Sequence, residues 1–152
     1  MRKSAMLFGL LMITSCYAWR AINMEQYIKE SQVQLTEESL KLQEKLDARL
    51  PVSSKATAGK VERRKLTLIN FSNPIFIIGD DATSRQWLQK NTRKLEQAQA
   101  IGFVANINSS KQLQKLQQLI KTPLLPANVD DLMEIFQENH YPLAFSEGEL
   151  WQ

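Results

Sequence analysis

One short stretch near the middle of the chain constrains the fold more than any other. It covers residues 74–81 and reads PIFIIGDD. Its four consecutive apolar residues, Ile75 to Ile78, have no polar residue among them, which predicts a strand buried on both faces. Gly79, Asp80 and Asp81 then turn the chain and offer a carboxylate to the first turn of a following helix. The stretch therefore predicts the strand–turn–helix start of a βαβ unit.

The residues that follow complete this unit. Trp87, Leu88 and Leu95 are spaced to share one face of a helix, and the basic residues between them are expected on its wet face. Residues 101–107 (IGFVANI) form a second apolar run and predict a second strand. Because a helix connects the two strands, we expect them to be parallel, with a right-handed crossover.

The next part of the chain predicts two more helices. Ser109 or Ser110 can cap the first, which carries a row of leucines and ends at Pro123. Residues 124–126 lead into a second capping cluster at residues 128–131 (NVDD). A short helix is predicted after it, over residues 132–137.

The last stretch predicts a proline-led strand and a closing hairpin. Pro142 is tolerated at a strand start because only one ladder donor is lost there. Residues 143–145 form the strand, residues 146–148 the turn, and residues 150–151 the returning strand. Upstream, residues 66–69 predict a short strand at the edge of the sheet.

The first residues have the pattern of an export signal. Arg2 and Lys3 precede an apolar run over residues 5–14, which is too short to span a bilayer comfortably. A small-x-Ala site at residues 16–18 predicts a signal peptide over residues 1–18. Residues 13–16 also resemble a bacterial lipoprotein box, in which Cys16 would become the lipidated first residue. Cleavage, lipidation and a retained anchor all stay open.

Between the signal and the apolar strand we predict a helical arm over residues 19–50 and a linker over residues 51–65. The arm holds no Pro or Gly from residue 21 onward, and Ile28, Leu35 and Leu42 recur every seven residues. The interleaved positions are polar, so the coiled-coil signal is weak. The arm either lies on its own domain or serves as a spacer or partner-binding helix. Pro51 ends it, and small polar residues follow.

Charge argues against nucleic acid as the main partner. The formal charge is +3. Without Arg2 and Lys3 the chain has 17 basic and 16 acidic residues, or +1, too little for phosphate neutralisation to dominate. Residues 41–65 carry eight bases against three acids, whereas residues 129–152 carry six acids and no base. Either both charged regions are solvated surfaces, or the basic region is a tether that meets an acidic partner or a membrane surface.

The candidate site residues permit little catalytic chemistry. Cys16 is the only cysteine, so a redox pair at the first helix is excluded. Asp80 and Asp81 resemble the magnesium-binding acids of receiver domains, but the second strand supplies no further carboxylate, and helix capping is the better interpretation. His140 is the sole histidine and is read as a packed or turn residue, and Trp87 as a core residue. We expect no cofactor, no metal and no catalytic residues.

The order of elements resembles a thioredoxin-like fold. The fold class expected is α/β, a three-layer thioredoxin-like domain over residues 66–152 that lacks the Cys pair. This resemblance implies a cis bond between Tyr141 and Pro142.

Residues 66–152 also resemble a family of small exported proteins of integrating conjugative elements, encoded in gene clusters for type IV secretion. The similarity lies in the order and spacing of these motifs: IGDD, Ser84 with Trp87-Leu88, GFVANI, Leu124-x-Pro126, Asp130-Asp131-Leu132, His140-Tyr141-Pro142, and Gly148 with Gln152.

The resemblance implies a periplasmic or envelope-associated part of the mating apparatus, distantly similar to thioredoxin-like pilin-assembly proteins of F-type systems. We therefore expect a non-enzymatic adaptor or assembly factor whose partners are other envelope proteins of that apparatus. The alternative is a periplasmic enzyme or ligand-binding domain that uses Asp80, Asp81 and His140.

Overall fold

The computed structural model describes residues 24–68, 71 and 73–152. The predicted signal peptide at 1–18, its cleavage site and Cys16 lie outside these residues. The chain divides into two compact units, residues 1–37 and residues 38–152. The second unit contains the strands, and its fold is mixed α/β, as the apolar runs predicted.

Four helices and eight strands lie in the described ranges. The helices are α1 (Met24–Asp47), α2 (Ala82–Gln97), α3 (Ser110–Gln117) and α4 (Asp130–Phe136). The strands are β1 (Thr57–Ala58), β2 (Arg64–Lys65), β3 (Ile75–Ile78), β4 (Ile101–Val104), β5 (Leu124–Pro126), β6 (His140–Tyr141), β7 (Leu143–Ser146) and β8 (Glu149–Trp151).

The main sheet has six strands in the order β2-β8-β7-β3-β4-β5. Strand β3 lies inside it, parallel to β4 and antiparallel to β7, with Ile75 opposite both Ile101 and Phe145. The predicted parallel βαβ unit and the closing β7–β8 hairpin are both confirmed. Residues 124–126, expected only to lead into the next helix, form the edge strand β5 and extend the parallel half of the sheet.

Strand β3 contributes side chains to two cores, because successive residues of a strand point to opposite faces. Phe76 and Ile78 belong to a cluster that contains Trp87 and Leu88 of α2, together with leucines of α3. Ile75 and Ile77 belong to a second cluster with Met133 and Phe136 of α4 and residues of β7. All four β3 residues are buried, as predicted for a strand without polar alternation.

Helix α1 accounts for much of the predicted arm. Its 24 residues contain no Pro or Gly, and the helix ends shortly before the cis bond between Leu50 and Pro51. Leu46 and Leu50 are half-buried against the cluster that contains Phe76 and Ile78. The end of the arm is therefore attached to the core of the second unit.

The structure differs from the prediction at residues 51–65, which do not form a linker. Val52, Ala56 and Val61 are buried, β1 pairs in parallel with β6, and β2 pairs with β8 at the sheet edge. The small residues that resemble a flexible linker instead permit close packing. A Cβ on Gly59 would lie 2.6 Å from Cγ of His140, closer than real Cβ atoms approach.

Other differences concern element bounds and one cap. The edge strand is Arg64–Lys65 rather than residues 66–69, and β4 ends at Val104. Helix α4 covers Asp130–Phe136, and its N-cap residue, Val129, makes no side-chain capping bond. The carboxylate of Asp130 instead accepts from the backbone N–H of Lys55 at 2.8 Å, because residues 51–65 pack beside it.

Candidate functional site

A polar pocket of about 250 Å³ lies where the parallel strands β3 and β4 end. The carboxyl ends of adjacent parallel strands meet at one edge of a sheet, where α/β proteins commonly bind ligands. Both predicted aspartates, Asp80 and Asp81, line this pocket, and so does Tyr141. Asn106 and Asn108, which follow β4, complete much of its polar wall.

Asp81 uses both carboxylate oxygens to begin α2. Its Oδ1 accepts from the backbone N–H of Ser84 at 2.8 Å, and its Oδ2 accepts from the Ser84 hydroxyl at 2.7 Å. The same hydroxyl oxygen accepts from the backbone N–H of Gly79 at 3.0 Å. Ser84 is fully buried, so this set of bonds satisfies polar groups that water does not reach. The predicted helix cap is confirmed.

Asp80 is held by a different partner. Its side chain is only 9% exposed and forms an ion pair with Arg85, one turn into α2. Its backbone N–H donates to the carbonyl oxygen of Asn106 at 3.3 Å, which joins the turns after β3 and β4. The carboxylate is therefore paired within the domain.

Asn106 organises the centre of the site, although nothing in the sequence patterns marked it as a site residue. Its amide nitrogen donates to the carbonyl oxygen of Ala56 at 2.9 Å and to the Tyr141 hydroxyl at 3.2 Å. Its side-chain oxygen accepts from the backbone N–H of Ser54 at 2.7 Å. The signal available in the sequence was a single polar amide within the otherwise apolar run of residues 101–107.

Tyr141 closes one side of the pocket. Its ring packs on the backbone of Gly79, where a Cβ would lie 2.4 Å from Cε2 of the ring. Only glycine permits this approach at the end of β3. The bond between Tyr141 and Pro142 is cis, which confirms the expectation drawn from the thioredoxin-like resemblance.

His140 is not among the residues that line the pocket with the two aspartates. Its ring Nδ1 lies 3.1 Å from the Thr57 hydroxyl, where β1 pairs with β6. Its backbone N–H donates to the Glu138 carboxylate at 3.2 Å. The structure therefore places His140 in the short strand β6, packed beside β1, and does not bring it together with Asp80 and Asp81.

Trp87 lies in the core rather than on a binding surface. It is 7% exposed, and its ring centroid lies 6.5 Å from that of Phe76 and 5.6 Å from that of Trp151. Among the described residues its Nε1 has no hydrogen-bond partner. By contrast, the Nε1 of Trp151 donates to the Ser146 hydroxyl at 3.0 Å.

The partly buried carboxylate of Glu138, just before β6, connects the edge strand to the end of α4 through Arg64. Burial acts to raise the pKa of Glu138, but the N–H groups of Asn139 and His140 and the Arg64 guanidinium outweigh it and hold that pKa below its usual value of 4.5. Arg64 also donates to the carbonyl oxygens of Phe136 and Gln137 at 2.7 and 3.0 Å, which caps the end of α4. These contacts are structural.

A comparison with family models finds one match. The model for a family described as protein of unknown function, DUF2859, matches residues 14–149. The chain belongs to the DUF2859 family. No curated protein and no solved structure matches the chain. The DUF2859 match includes α1, the packed segment at residues 51–65 and every residue of the polar pocket.

Within its described part, this DUF2859 chain has no group of three or more His, Cys, Asp or Glu residues arranged to hold a metal ion. None of the helices in the same ranges is long and apolar enough to cross a membrane. The polar pocket can form hydrogen bonds through its amides and the Tyr141 hydroxyl. Its two carboxylates are already engaged by Ser84 and Arg85.

Proposed function

We propose that this DUF2859 protein is a non-enzymatic adaptor or assembly factor in the envelope part of a conjugative type IV secretion system. The proposal begins with the resemblance of residues 66–152 to small exported proteins of integrating conjugative elements. The observation that carries the non-enzymatic part is the engagement of the candidate acids by neighbouring side chains. A general base needs a free group within reach of a substrate proton, and here Asp81 caps α2 while Asp80 is paired with Arg85.

A thioredoxin-like domain is the finer fold that we propose. Three features support it: the parallel β3–α2–β4 unit, the antiparallel β7 on the other side of β3, and the β7–β8 hairpin that follows Pro142. The position at which such a domain would carry its cysteines holds Asp80 and Asp81. The domain would then serve recognition instead of thiol chemistry.

The proposed location is the periplasm, reached through the signal at residues 1–18 or through a lipid on Cys16. The basic character of residues 41–65 supports contact with an acidic partner or with membrane surface. Arg64 is engaged by Glu138 and by the end of α4, whereas the Arg63 side chain is 64% exposed and pairs only at the surface with Glu149. The surface bases of this segment are the groups that such a partner would meet.

Crosslinking in donor cells tests the proposal. Cells that carry the conjugative element and a tagged copy of this chain are crosslinked during mating, and the captured proteins are identified. Envelope proteins of the type IV apparatus are the expected partners. Capture of cytoplasmic DNA-processing proteins alone would contradict the envelope location.

The second candidate is a ligand-binding or enzymatic role for the polar pocket. The pocket of about 250 Å³ with Asp80, Asp81, Asn106 and Tyr141 in its wall favours it. The position of His140 outside this lining removes one of the three residues on which that candidate depended. Substitution of the two aspartates by asparagine separates the candidates, because asparagine still caps a helix but cannot act as a carboxylate.

A further inference from the structure

A second pocket lies at the opposite end of strands β4 and β5 from the polar site. It is open and apolar, with a volume of about 590 Å³, within the range of ordinary binding pockets. Ala100, Ile101, Pro123 and Leu125 form much of its wall. Ile101 is 36% exposed although it belongs to a strand inside the sheet. The pocket therefore presents apolar surface that no other part of the described residues covers.

The chemistry of the sheet edge restricts what can fill this pocket. Strand β5 is the edge strand beside it, and among the described residues it pairs only with β4. Two positions of β5 face the free edge, but Pro126 has no N–H and the N–H of Leu124 already donates to the Gln117 side chain at 2.9 Å, so an added strand would find no free donor there. An occupant that extends the sheet is disfavoured, and an occupant that inserts apolar side chains is favoured.

The margin of the pocket is set by Lys121 and Glu96. The Glu96 carboxylate accepts from the backbone N–H of Lys121 at 2.8 Å and is thereby engaged. Among the described residues no carboxylate lies within ion-pair distance of the Lys121 ammonium group. The margin therefore offers a cation to an acidic group of the occupant.

The chain itself carries a surface with the matching properties. On α1, Leu40 is 59% exposed, and it lies in the part of the helix that belongs to the second unit. Glu44 lies four residues after Leu40 and therefore shares its face of the helix. This face combines an exposed apolar side chain with an acid, which complements an apolar pocket with Lys121 at its margin.

We propose that the apolar pocket of one copy receives the Leu40 face of α1 from a second copy of this chain, with Glu44 near Lys121. This inference is independent of the proposed function. Every copy carries both surfaces, so the contact closes between two copies or repeats from copy to copy. A helix seated in an apolar groove is a common mode of protein recognition.

Photocrosslinking tests this contact in the full chain. A photoreactive amino acid replaces Leu40 in one tagged copy, which is expressed with a second copy that carries a different tag. A product with both tags is expected, with its crosslink mapped to residues 96–101 or 121–125. Leu42 is the matched control position, because it is 53% exposed but lies two residues away, on another face of α1. Its yield should be much lower, because a reactive group at position 42 would point away from the pocket of the second copy.

Substitutions on the pocket side complete the test. Ile101→Glu in the second copy should lower the product from position 40 about tenfold. Ile135→Glu should leave it unchanged, because Ile135 is 48% exposed on α4, away from this pocket. Lys121 is exposed, and Lys121→Glu should also lower the product because it places one carboxylate opposite another, whereas Glu44→Lys in the first copy should restore it. Three results would overturn the proposal. They are a product that lacks the second tag, an equal yield from position 42, and a yield from position 40 that neither Ile101→Glu nor Lys121→Glu lowers.

Discussion

Asp81 and Ser84 hold each other through two hydrogen bonds at the start of α2, one to the backbone N–H and one to the side-chain hydroxyl of Ser84. The Ser84 hydroxyl oxygen in turn accepts from the N–H of Gly79, at the end of β3. One carboxylate thus fixes the turn between the central strand and the helix that packs on it. A residue that resembles a catalytic acid in the sequence is a structural residue of the fold.

Replacement of Asp81 by alanine should lower the free energy of unfolding by about 0.5–2 kcal/mol, the usual effect of losing an N-cap. The buried Ser84 hydroxyl would also lose its acceptor. Asp81→Asn should lose less, because asparagine caps a helix about as well as aspartate. Urea unfolding followed by circular dichroism measures both. Equal stability of wild type and Asp81→Ala would contradict the capping role.

Because of Glu138, the free energy of unfolding should change with pH in the acid range. Because its pKa in the folded protein is lowered below 4.5, it stabilises the fold above its unfolded pKa, and that stabilisation disappears as the pH falls through the folded pKa. Glu138→Gln should therefore be less stable than wild type at pH 7, and the difference should shrink below about pH 4.3.

Glu149→Gln is the control for Glu138→Gln. Glu149 also pairs with an arginine, but Arg63 is largely exposed, and exposed pairs contribute about 0–1 kcal/mol. Unfolding curves at several pH values should show a small effect at this position. A difference between wild type and Glu138→Gln that stays constant from pH 7 to acid would be evidence against the lowered pKa.

The two core tryptophans should respond differently to phenylalanine. Trp151→Phe removes the hydrogen bond from Nε1 to Ser146, whereas Trp87→Phe removes an N–H without a partner in the described structure. Each substitution also loses packing, since both residues are at least 93% buried. Trp151→Phe should cost about 0.5–1.5 kcal/mol more, the net value of one hydrogen bond. Thermal unfolding of both variants measures this, and the reverse order would refute it.

Lipidation of Cys16 has a direct measurement. If Cys16 is the modified residue, cells fed a labelled fatty acid should incorporate it into the wild-type protein and not into Cys16→Ser. A lipid would give firm membrane attachment, which a single weak contact does not. Equal labelling of both proteins, or labelling of neither, would leave ordinary cleavage at residues 16–18 as the better prediction.

The sequence predicted the inner part of the sheet well, because strand β3 and the row of Trp87, Leu88 and Leu95 have clear periodicity. It also predicted the cap at Asp81. It failed at residues 51–65, where small residues that usually mark a flexible linker pack against His140 and Asn106. Such packing depends on residues some 50 to 85 positions away, which no local pattern reveals.

The candidate site was predicted in part for the same reason. Asp80, Asp81 and Tyr141 do line one pocket, but Asn106, which joins Ser54, Ala56 and Tyr141, was missed. His140 lies one residue before Tyr141, and yet it contacts Thr57 instead of the pocket. Adjacent residues in a strand point to opposite sides, so proximity in sequence did not predict a shared site.

The most direct test of the central claim is the frequency of conjugation from donor cells that carry Asp80→Asn together with Asp81→Asn. An adaptor whose aspartates serve the fold should support transfer at the wild-type frequency, provided that the variant is present at the normal level and is folded. Transfer reduced to the level of a strain without the gene, with the variant abundant and folded, would contradict the non-enzymatic account and favour a carboxylate-dependent activity in the polar pocket.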